Sequence, residues 1–257
     1  MIRSLYTAYS GMINEQKRLD IISNNLANSA TVGYKEDSVT NQAFKDVLAI
    51  KIRDGSEMYN DKAIGTMNPG VKLGEVYTDY EQGSLRQTGN VYDLAIEGKG
   101  FFGVSVTDKN GNESIKYTRD GSFKLTQDGY VVDTNGNHLQ GEGGNIQIPA
   151  NAQEIVIGTD GSVYADGTLI NQVQITDFED YNYLEKYGDN LYQTVEGAVT
   201  KEADGLVQQG YTEQSNVNVV SEMVEMITIT RAYEANQKVI QTVDGILEQA
   251  VSSVGRV

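Results

Sequence analysis

Residues 219–254 read VVSEMVEMITITRAYEANQKVIQTVDGILEQAVSSV, and the spacing of their side chains decides the fold. Steps of three and four residues are typical of one helical face. They define a first row of Val219, Met223, Met226, Thr230, Tyr233, Gln237, Ile240, Asp244, Leu247, Val251 and Val254. A second row adds Ile229, Ala232, Val239, Val243, Ile246 and Ala250. Two adjacent rows are broader than a two-stranded seam, so this helix should have neighbours on more than one side.

The start of this helix is predicted near Ser215 to Asn218, because Asn and Ser side chains accept hydrogen bonds from free N–H groups at helix N-termini. No proline follows Pro149 to interrupt the helix. A second amphipathic helix is predicted at the N-terminus, where the same spacing connects Leu5, Tyr9, Met12, Gln16, Leu19, Ile22 and Leu26. The chain therefore has helical periodicity at both ends.

Between the helices the sequence alternates with a period of two and is punctuated by glycine, which indicates short strands. The strand candidates are Asp93–Ile96, Phe101–Val106, Gly129–Val132, Ile146–Ile148, Ile155–Ile157 and Gln172–Ile175. Four Asp-Gly pairs are expected to supply the positive φ of tight hairpins: Asp120-Gly121, Asp128-Gly129, Asp160-Gly161 and Asp166-Gly167. The middle of the chain is thus predicted to be all-β.

The predicted fold class is α+β, with the two terminal helices pairing in a coiled-coil-like assembly domain and an irregular β domain between them. The expected segments are an N-terminal helix at 1–30, a connector at 31–74, a β domain at 75–210 and a C-terminal helix at 211–257. Within the connector, Phe44, Val47, Leu48 and Ile52 allow a helical piece, whereas Gly65 to Gly70 has the composition of a loop.

Composition excludes several classes of protein. Cysteine is absent, which removes disulfides, thiolate metal sites and thiol nucleophiles. A net charge of -16 opposes binding to nucleic acid phosphates. No window approaches the roughly 18 unbroken apolar residues of a membrane span, so membrane insertion is not expected. The N-terminus lacks the apolar stretch and cleavage site of a secretory signal peptide, so any export should leave the chain uncleaved.

Candidate chemical sites are weak, and neither an enzyme nor a cofactor or metal site is expected. The one histidine, His138, has a turn-like context and is predicted to be a solvated turn residue. An acidic cluster with neighbouring tyrosines resembles a glycosidase site, but a solvated acidic loop is the simpler interpretation. It comprises Asp177, Glu179, Asp180 and Glu185 with Tyr181, Tyr183 and Tyr187. Two calcium-like loops, beginning at Asp108 and Asp133, lack the required sixth-position glycine and final glutamate.

Two motifs at opposite ends of the chain strongly resemble the signatures of the flagellar rod and hook protein family. The N-terminal one is Ser23-Asn24-Asn25-Leu26-Ala27-Asn28 with Thr31, Gly33, Tyr34 and Lys35. The C-terminal one is Gln209-Gly210-Tyr211, Glu213, Ser215-Asn216-Val217-Asn218-Val219 and Arg231-Ala232-Tyr233-Glu234-Ala235-Asn236. Further similar strings lie between them, including Gly100-Phe101-Phe102 and Tyr117-Thr118-Arg119-Asp120-Gly121. Departures are Val32, where the motif often has asparagine, and residues 54–66.

The resemblance implies a structural subunit of the bacterial flagellar rod, of the distal segment first and the proximal segment second. Implied partners are further copies in a hollow helical shaft, other rod proteins, the hook protein, the type III export apparatus and ring proteins. The shaft would lie in the basal body and transmit torque passively. Helical pattern and resemblance together nominate an assembly interface of Leu5, Tyr9, Met12, Leu19, Asn24, Asn25, Leu26, Asn28, Met223, Met226, Tyr233, Asn236, Ile240, Val243, Leu247 and Val251.

Two alternatives stay open. From the pattern alone, both helices can fold back on their own β domain in a monomeric α+β protein. From another class, an acidic binding module at the cell surface fits the composition, and it predicts no basal-body defect when the gene is deleted.

Overall fold

The computed structural model describes residues 2–51, 62–107, 111–149, 151–188 and 190–254. These residues contain two long α-helices, one at each end, and short strands between them, as the sequence predicts. The helices are α1 (Ile2–Ala27) and α2 (Val219–Val254). The strands that the fold depends on are β1 (Asp37–Ala43), β2 (Val47–Lys51), β3 (Lys62–Met67), β4 (Val71–Thr78), β5 (Leu85–Gln87), β6 (Leu94–Glu97), β7 (Phe101–Thr107), β8 (Glu113–Thr118), β9 (Lys124–Leu125), β10 (Val131–Val132), β11 (His138–Gly141), β12 (Gly144–Asn145), β13 (Ile155–Ile157), β14 (Ser162–Ala165), β15 (Thr168–Gln172), β16 (Ile175–Phe178), β17 (Leu184–Tyr187), β18 (Leu191–Thr194), β19 (Thr200–Glu202), β20 (Leu206–Gln209) and β21 (Tyr211–Glu213).

The chain forms two compact units. The helical unit comprises Met1–Ala27, Asp37–Asp79 and Asn218–Val257, and the β unit comprises Asn28–Glu36 and Tyr80–Val217. Residues 31–74, expected to be a connector, thus contribute to both units. The four-segment division stays a prediction about folding units.

The helical unit pairs α1 with α2 and adds two antiparallel strand pairs, β1 with β4 and β2 with β3. The helical piece that includes Phe44, Val47 and Leu48 is absent from the described residues, since Val47 begins β2, and Ile52 lies outside the described residues. The β1–β4 pair is fastened to α1 by side chains. Thr7 Oγ1 donates to the Pro69 carbonyl at 3.3 Å, and Asn14 Nδ2 donates to Asn41 Oδ1 at 3.0 Å.

The β unit is built on an antiparallel sheet in which β7 pairs with β8, β11 and β16. Alternate residues of a strand point to opposite faces, and β7 accordingly contributes to two cores. Phe102 and Val104 join an aliphatic core with Leu94, Ile96 and Leu139, among others. On the other face, Phe101 joins an aromatic core with Phe178, Leu184 and Tyr192.

Strand predictions in the middle of the chain are mostly confirmed, with two corrections. Ile146–Ile148 forms only an isolated bridge at Gln147, although Ile146 and Ile148 are buried. Gln172–Ile175 is a junction, because β15 ends at Gln172 and β16 begins at Ile175.

The Asp-Gly predictions hold at three of the four turns. Gly129, Gly161 and Gly167 have φ between 78° and 83°, which glycine adopts without a steric penalty. Gly121 is not among the positive-φ residues. Instead, a Cβ at Gly121 would lie 1.5 Å from the Leu94 carbonyl oxygen, so close backbone approach is the reason for glycine there.

Candidate assembly interface

Asn25 fixes one end of the helix pair. Its Nδ2 donates to the Asp37 carbonyl at 2.8 Å and to Glu222 Oε2 at 3.2 Å, while its Oδ1 accepts from Asp37 N at 3.0 Å. Asn25 and Glu222 are both buried. Glu222 lies in the first turn of α2, where a carboxylate also interacts favourably with the helix dipole. The last turn of α1 is thereby bound to the first turn of α2.

The contacts farther along the helices establish an antiparallel register. Arg18 forms ion pairs with Glu15 at 3.1 Å and with Glu225 at 2.7 Å. A Cβ on Gly11 would lie 3.0 Å from Asn236 Nδ2, so glycine permits a close approach at this point. As the residue number falls along α1, the number of its partner on α2 rises.

The C-terminal end of α2 extends past α1. At about 1.5 Å per residue, the 26 residues of α1 span about 39 Å and the 36 residues of α2 span about 54 Å. Because Asn25 faces Glu222 at the other end, the excess lies beyond Ile2, where α1 begins. Side-chain exposure follows this register, rising from 7% at Val243 to 37% at Leu247 and 73% at Val251. We call residues 246–254 the overhang.

A second uncovered surface lies on the first turns of α2. Val220, Met223, Val224 and Ile227 are 48–72% exposed. Val220 is nine residues from the buried Ile229, which is about two and a half turns, so the set lies on roughly the opposite side of α2. We call these four residues the outer patch.

A groove lies between α1 and the β1–β4 pair. Its cavity volume is about 600 Å³, within the range of about 300–1,000 Å³ that binding sites occupy. Its apolar lining comes from Tyr6, Tyr9 and Ile13 of α1 and from Phe44, Val71 and Leu73 opposite. Its charged lining residues are Lys17 and Lys72, and no carboxylate is found among the described residues that line it. Tyr6 and Tyr9 are each more than half exposed.

The predicted interface residues fall into three classes of exposure. Asn25 and Val243 are buried, and both are used inside the chain. Leu5, Met12, Leu19, Leu26, Asn28, Met226, Tyr233, Asn236 and Ile240 are half-buried. Tyr9, Asn24, Met223, Leu247 and Val251 are exposed. Exposure of the hydrophobic members of the last group ranges from 37% at Leu247 to 73% at Val251, and the role of the whole set in assembly stays a prediction.

The sequence patterns did not fully predict two uncovered surfaces, the outer patch and the groove. The outer patch includes Val220, Val224 and Ile227, which follow an i, i+4, i+7 spacing that a third helical row would have revealed. The groove could not be predicted from one helix, because Val71, Lys72 and Leu73 of its lining belong to a strand pair that was not predicted.

The β unit joins residues from both motifs around one buried carboxylate. Glu213 Oε1 lies 2.6 Å from Lys35 Nζ, and Glu213 Oε2 lies 3.1 Å from Arg119 Nη1. Glu213 Oε1 also accepts from Gly83 N at 3.0 Å. The side chains of Lys35 and Glu213 are fully buried. We call Lys35, Arg119 and Glu213 the buried triad.

Backbone contacts reinforce the same junction. Gly33 N donates to the Glu213 carbonyl at 2.8 Å, and Glu36 N donates to Asn216 Oδ1 at 2.8 Å. Gly33 has a φ of 69°, and a Cβ there would lie 2.4 Å from the Arg119 carbonyl carbon. The motif at 28–36 therefore folds as part of the β unit. Glycine at 33 is required by both its φ and its surroundings.

The residues considered for chemistry have structural roles. His138 begins β11 and stacks edge-on against Tyr130, so the prediction of a solvated turn was wrong. Asp177 is buried and accepts from the Tyr181 hydroxyl at 2.8 Å. Burial, followed by this bond to Asp177, raises the pKa of Tyr181 to about 12. Asp180 caps a 3-10 turn at Tyr181–Tyr183.

Two features are absent from the described ranges. These ranges contain no group of three or more His, Cys, Asp or Glu side chains placed to hold a metal ion. Neither α1 nor α2, over the part of the chain that the structure describes, is long and apolar enough to cross a membrane.

Family models match three parts of the chain. Residues 5–35 match "Flagella basal body rod protein", residues 95–165 match "Flagellar hook protein FlgE/F/G D1 domain", and residues 208–253 match "Flagellar basal body rod FlgEFG protein C-terminal". The first and last matches include the α1 and α2 segments that form the helix pair.

Curated relatives align over almost their whole length. The flagellar basal-body rod protein FlgG of Bacillus subtilis is 37% identical, with 98% of this chain and 99% of the relative covered. FlgG of Caulobacter vibrioides is 38% identical, with 96% and 97% covered. The flagellar basal-body rod protein FlgF of Caulobacter vibrioides is 32% identical, with 100% of both chains covered.

Proposed function

The chain belongs to the family of flagellar basal-body rod proteins and is a structural subunit of the rod, and we propose that it builds the distal segment by polymerising through α1 and α2. The similarity to FlgG at 37–38% identity over nearly the full length supports the distal segment.

The observation that carries this proposal is the uncovered apolar surface of the helical unit. The overhang, the outer patch and the groove each expose several large apolar side chains. Apolar surface gains about 25 cal/mol for each Å² removed from water. A subunit whose helices have three such surfaces is stabilised by neighbours on several sides, as the subunits of a shaft would be.

The finer partners follow from membership of this family. We propose that the subunit reaches the rod through the flagellar type III export apparatus and joins other rod proteins on one side and the hook on the other. Ring proteins would surround the shaft. We propose no side chain of this subunit as a converter of chemical energy. The subunit would therefore transmit motor torque passively.

Gene deletion combined with electron microscopy of isolated basal bodies tests the proposal. We expect loss of swimming and rods that are truncated and carry no hook, and a restored wild-type copy should recover both. Intact basal bodies in the deletion strain would contradict the rod assignment and favour an acidic surface module.

The proximal rod is a second candidate, favoured by the 32% identity to FlgF over the whole of both chains. The same micrographs separate the two candidates. Loss of the distal segment from an otherwise complete proximal rod supports the first, whereas a rod that stops within the proximal segment supports the second.

A further inference from the structure

From the groove and the overhang together we infer that the groove of one copy binds the overhang of the next copy. This inference rests on the proposed function and specifies the contact within it. The binding face consists of Leu247, Glu248 and Val251 of the overhang together with Asp244, which lies just before it, and these four follow the i, i+3, i+4, i+7 spacing of one helical face.

The apolar parts of the two surfaces match in kind. Leu247 and Val251 lie four and eight residues after the buried Val243, and beyond α1 they are exposed. The groove presents Tyr6, Tyr9 and Ile13 beside the β1–β4 pair. An amphipathic helix that lays its apolar face into such a groove is a recurrent mode of recognition.

The charges of the two surfaces are opposite. Lys17 and Lys72 line the groove, while Asp244 and Glu248 flank the apolar residues of the overhang and are exposed. None of these four side chains forms an ion pair within the described residues. A chain of net charge -16 repels its own copies. A local patch of positive charge attracts an acidic helix, so the charges favour pairing of the groove with the overhang over other contacts between copies.

The occupant of the groove must come from another copy. α2 of the same chain lies along the face of α1 that carries the buried Ile22. Ile13 of the groove is nine residues from Ile22, which is about two and a half turns and places it on the other side of α1. The overhang is also continuous with α2 and runs past Ile2.

Cysteine cross-linking tests the contact, because the chain has no cysteine of its own. Two differently tagged copies, Ile13→Cys and Val251→Cys, are expressed together in cells that lack the native gene. A short bifunctional thiol reagent should then give a dimer carrying both tags. The matched control replaces Val251→Cys by Lys238→Cys, an exposed α2 position outside the overhang, and should give no such dimer. Equal yields from the two pairs in assembled rods would overturn the inference.

Charge reversal gives a second test that does not depend on cross-linking. Lys17→Glu with Lys72→Glu should abolish swimming, and adding Asp244→Lys with Glu248→Lys should restore it. If swimming stays lost while circular dichroism shows the helical content of the unmodified chain, the inference is wrong. Failure of the proposed function is distinguishable, because it would appear as normal swimming in the deletion strain before any variant is introduced.

Discussion

At the scale of single residues, the buried triad removes three ionic charges from water, so the pairing of these charges matters for the stability of the β unit. One carboxylate, Glu213, compensates two cations, Lys35 and Arg119, and no exposed surface is left on Lys35 or Glu213. Burying charges is costly unless they are paired and hydrogen-bonded. The bond from Gly83 N to Glu213, the bond from Lys35 Nζ to the Glu81 carbonyl and the bond from Arg119 Nη2 to the Gly98 carbonyl supply further partners.

Glu213→Gln should destabilise the β unit strongly. The substitution keeps the size of the side chain but leaves Lys35 and Arg119 buried without a counter-charge, at a cost of about 3–5 kcal/mol. Denaturant unfolding followed by near-ultraviolet circular dichroism measures the loss. Asp204→Asn is the control, since its pair with Lys201 is exposed and 3.8 Å long, and it should leave the midpoint unchanged. A loss below about 1 kcal/mol for Glu213→Gln would show that the triad is not a charged cluster.

Tyr181 should make the β unit sensitive to alkali. Burial and the bond to Asp177 raise its pKa to about 12, against about 10 in an unfolded chain. The folded state therefore favours the neutral phenol. The stability that Tyr181 contributes is complete below about pH 10 and is lost as the pH rises from about 10 through about 12. Tyr181→Phe should flatten the fall in unfolding free energy over that range, and an unchanged slope would contradict this account.

Residue-level prediction from the sequence succeeded where the cause was local. Positive φ at Gly129, Gly161 and Gly167 follows from the turn alone. Gly121 was assigned for the wrong reason, because its constraint comes from Leu94, which is far away in the sequence. The triad was missed for the same cause, since Lys35 and Glu213 are separated by 178 residues.

At the scale of elements, the two helices were predictable and their register was not. The cap at Asn218 is confirmed, with its Oδ1 accepting from Val220 N at 3.1 Å and Ser221 N at 3.3 Å. Strand β1 was missed because most of its residues, DSVTNQA, are polar and it has no alternating pattern. Pairing with β4 stabilises such a strand, and intrinsic strand propensity is weak against such context.

The register separates two neighbouring positions that the sequence treats as equivalent. Val243→Asp places a carboxylate in the buried helix pair, so it should destabilise the helical unit and prevent assembly. Leu247→Asp lies on the overhang and should change the unfolding free energy by less than about 0.5 kcal/mol, yet it too should prevent assembly. Thermal unfolding and electron microscopy of basal bodies distinguish the two effects. Normal rods built from Leu247→Asp subunits would defeat the proposal.

At the scale of the whole molecule, the contact between groove and overhang joins two different surfaces. Such a heterologous interface makes an open helical filament when the rotation between copies does not close a ring. Each copy then gives one surface and accepts one, which is the behaviour that a shaft requires. The sequence predicted a broad helical face, but it contained no information on which parts of that face remain uncovered.

A chain truncated after Gly245 should therefore inhibit assembly of the native chain. It keeps the helix pair and the groove, so it accepts the overhang of a neighbour but offers none in return and stops growth at one end. Expressed beside the native chain, it should reduce swimming and shorten rods in electron micrographs as its share rises. The matched control is the same truncation with Lys17→Glu and Lys72→Glu, which should neither give nor accept a partner and should leave swimming intact. If both truncated chains inhibit equally, the effect does not pass through the groove; if neither inhibits, growth does not depend on the overhang, and the outer patch would have to carry the contact between copies.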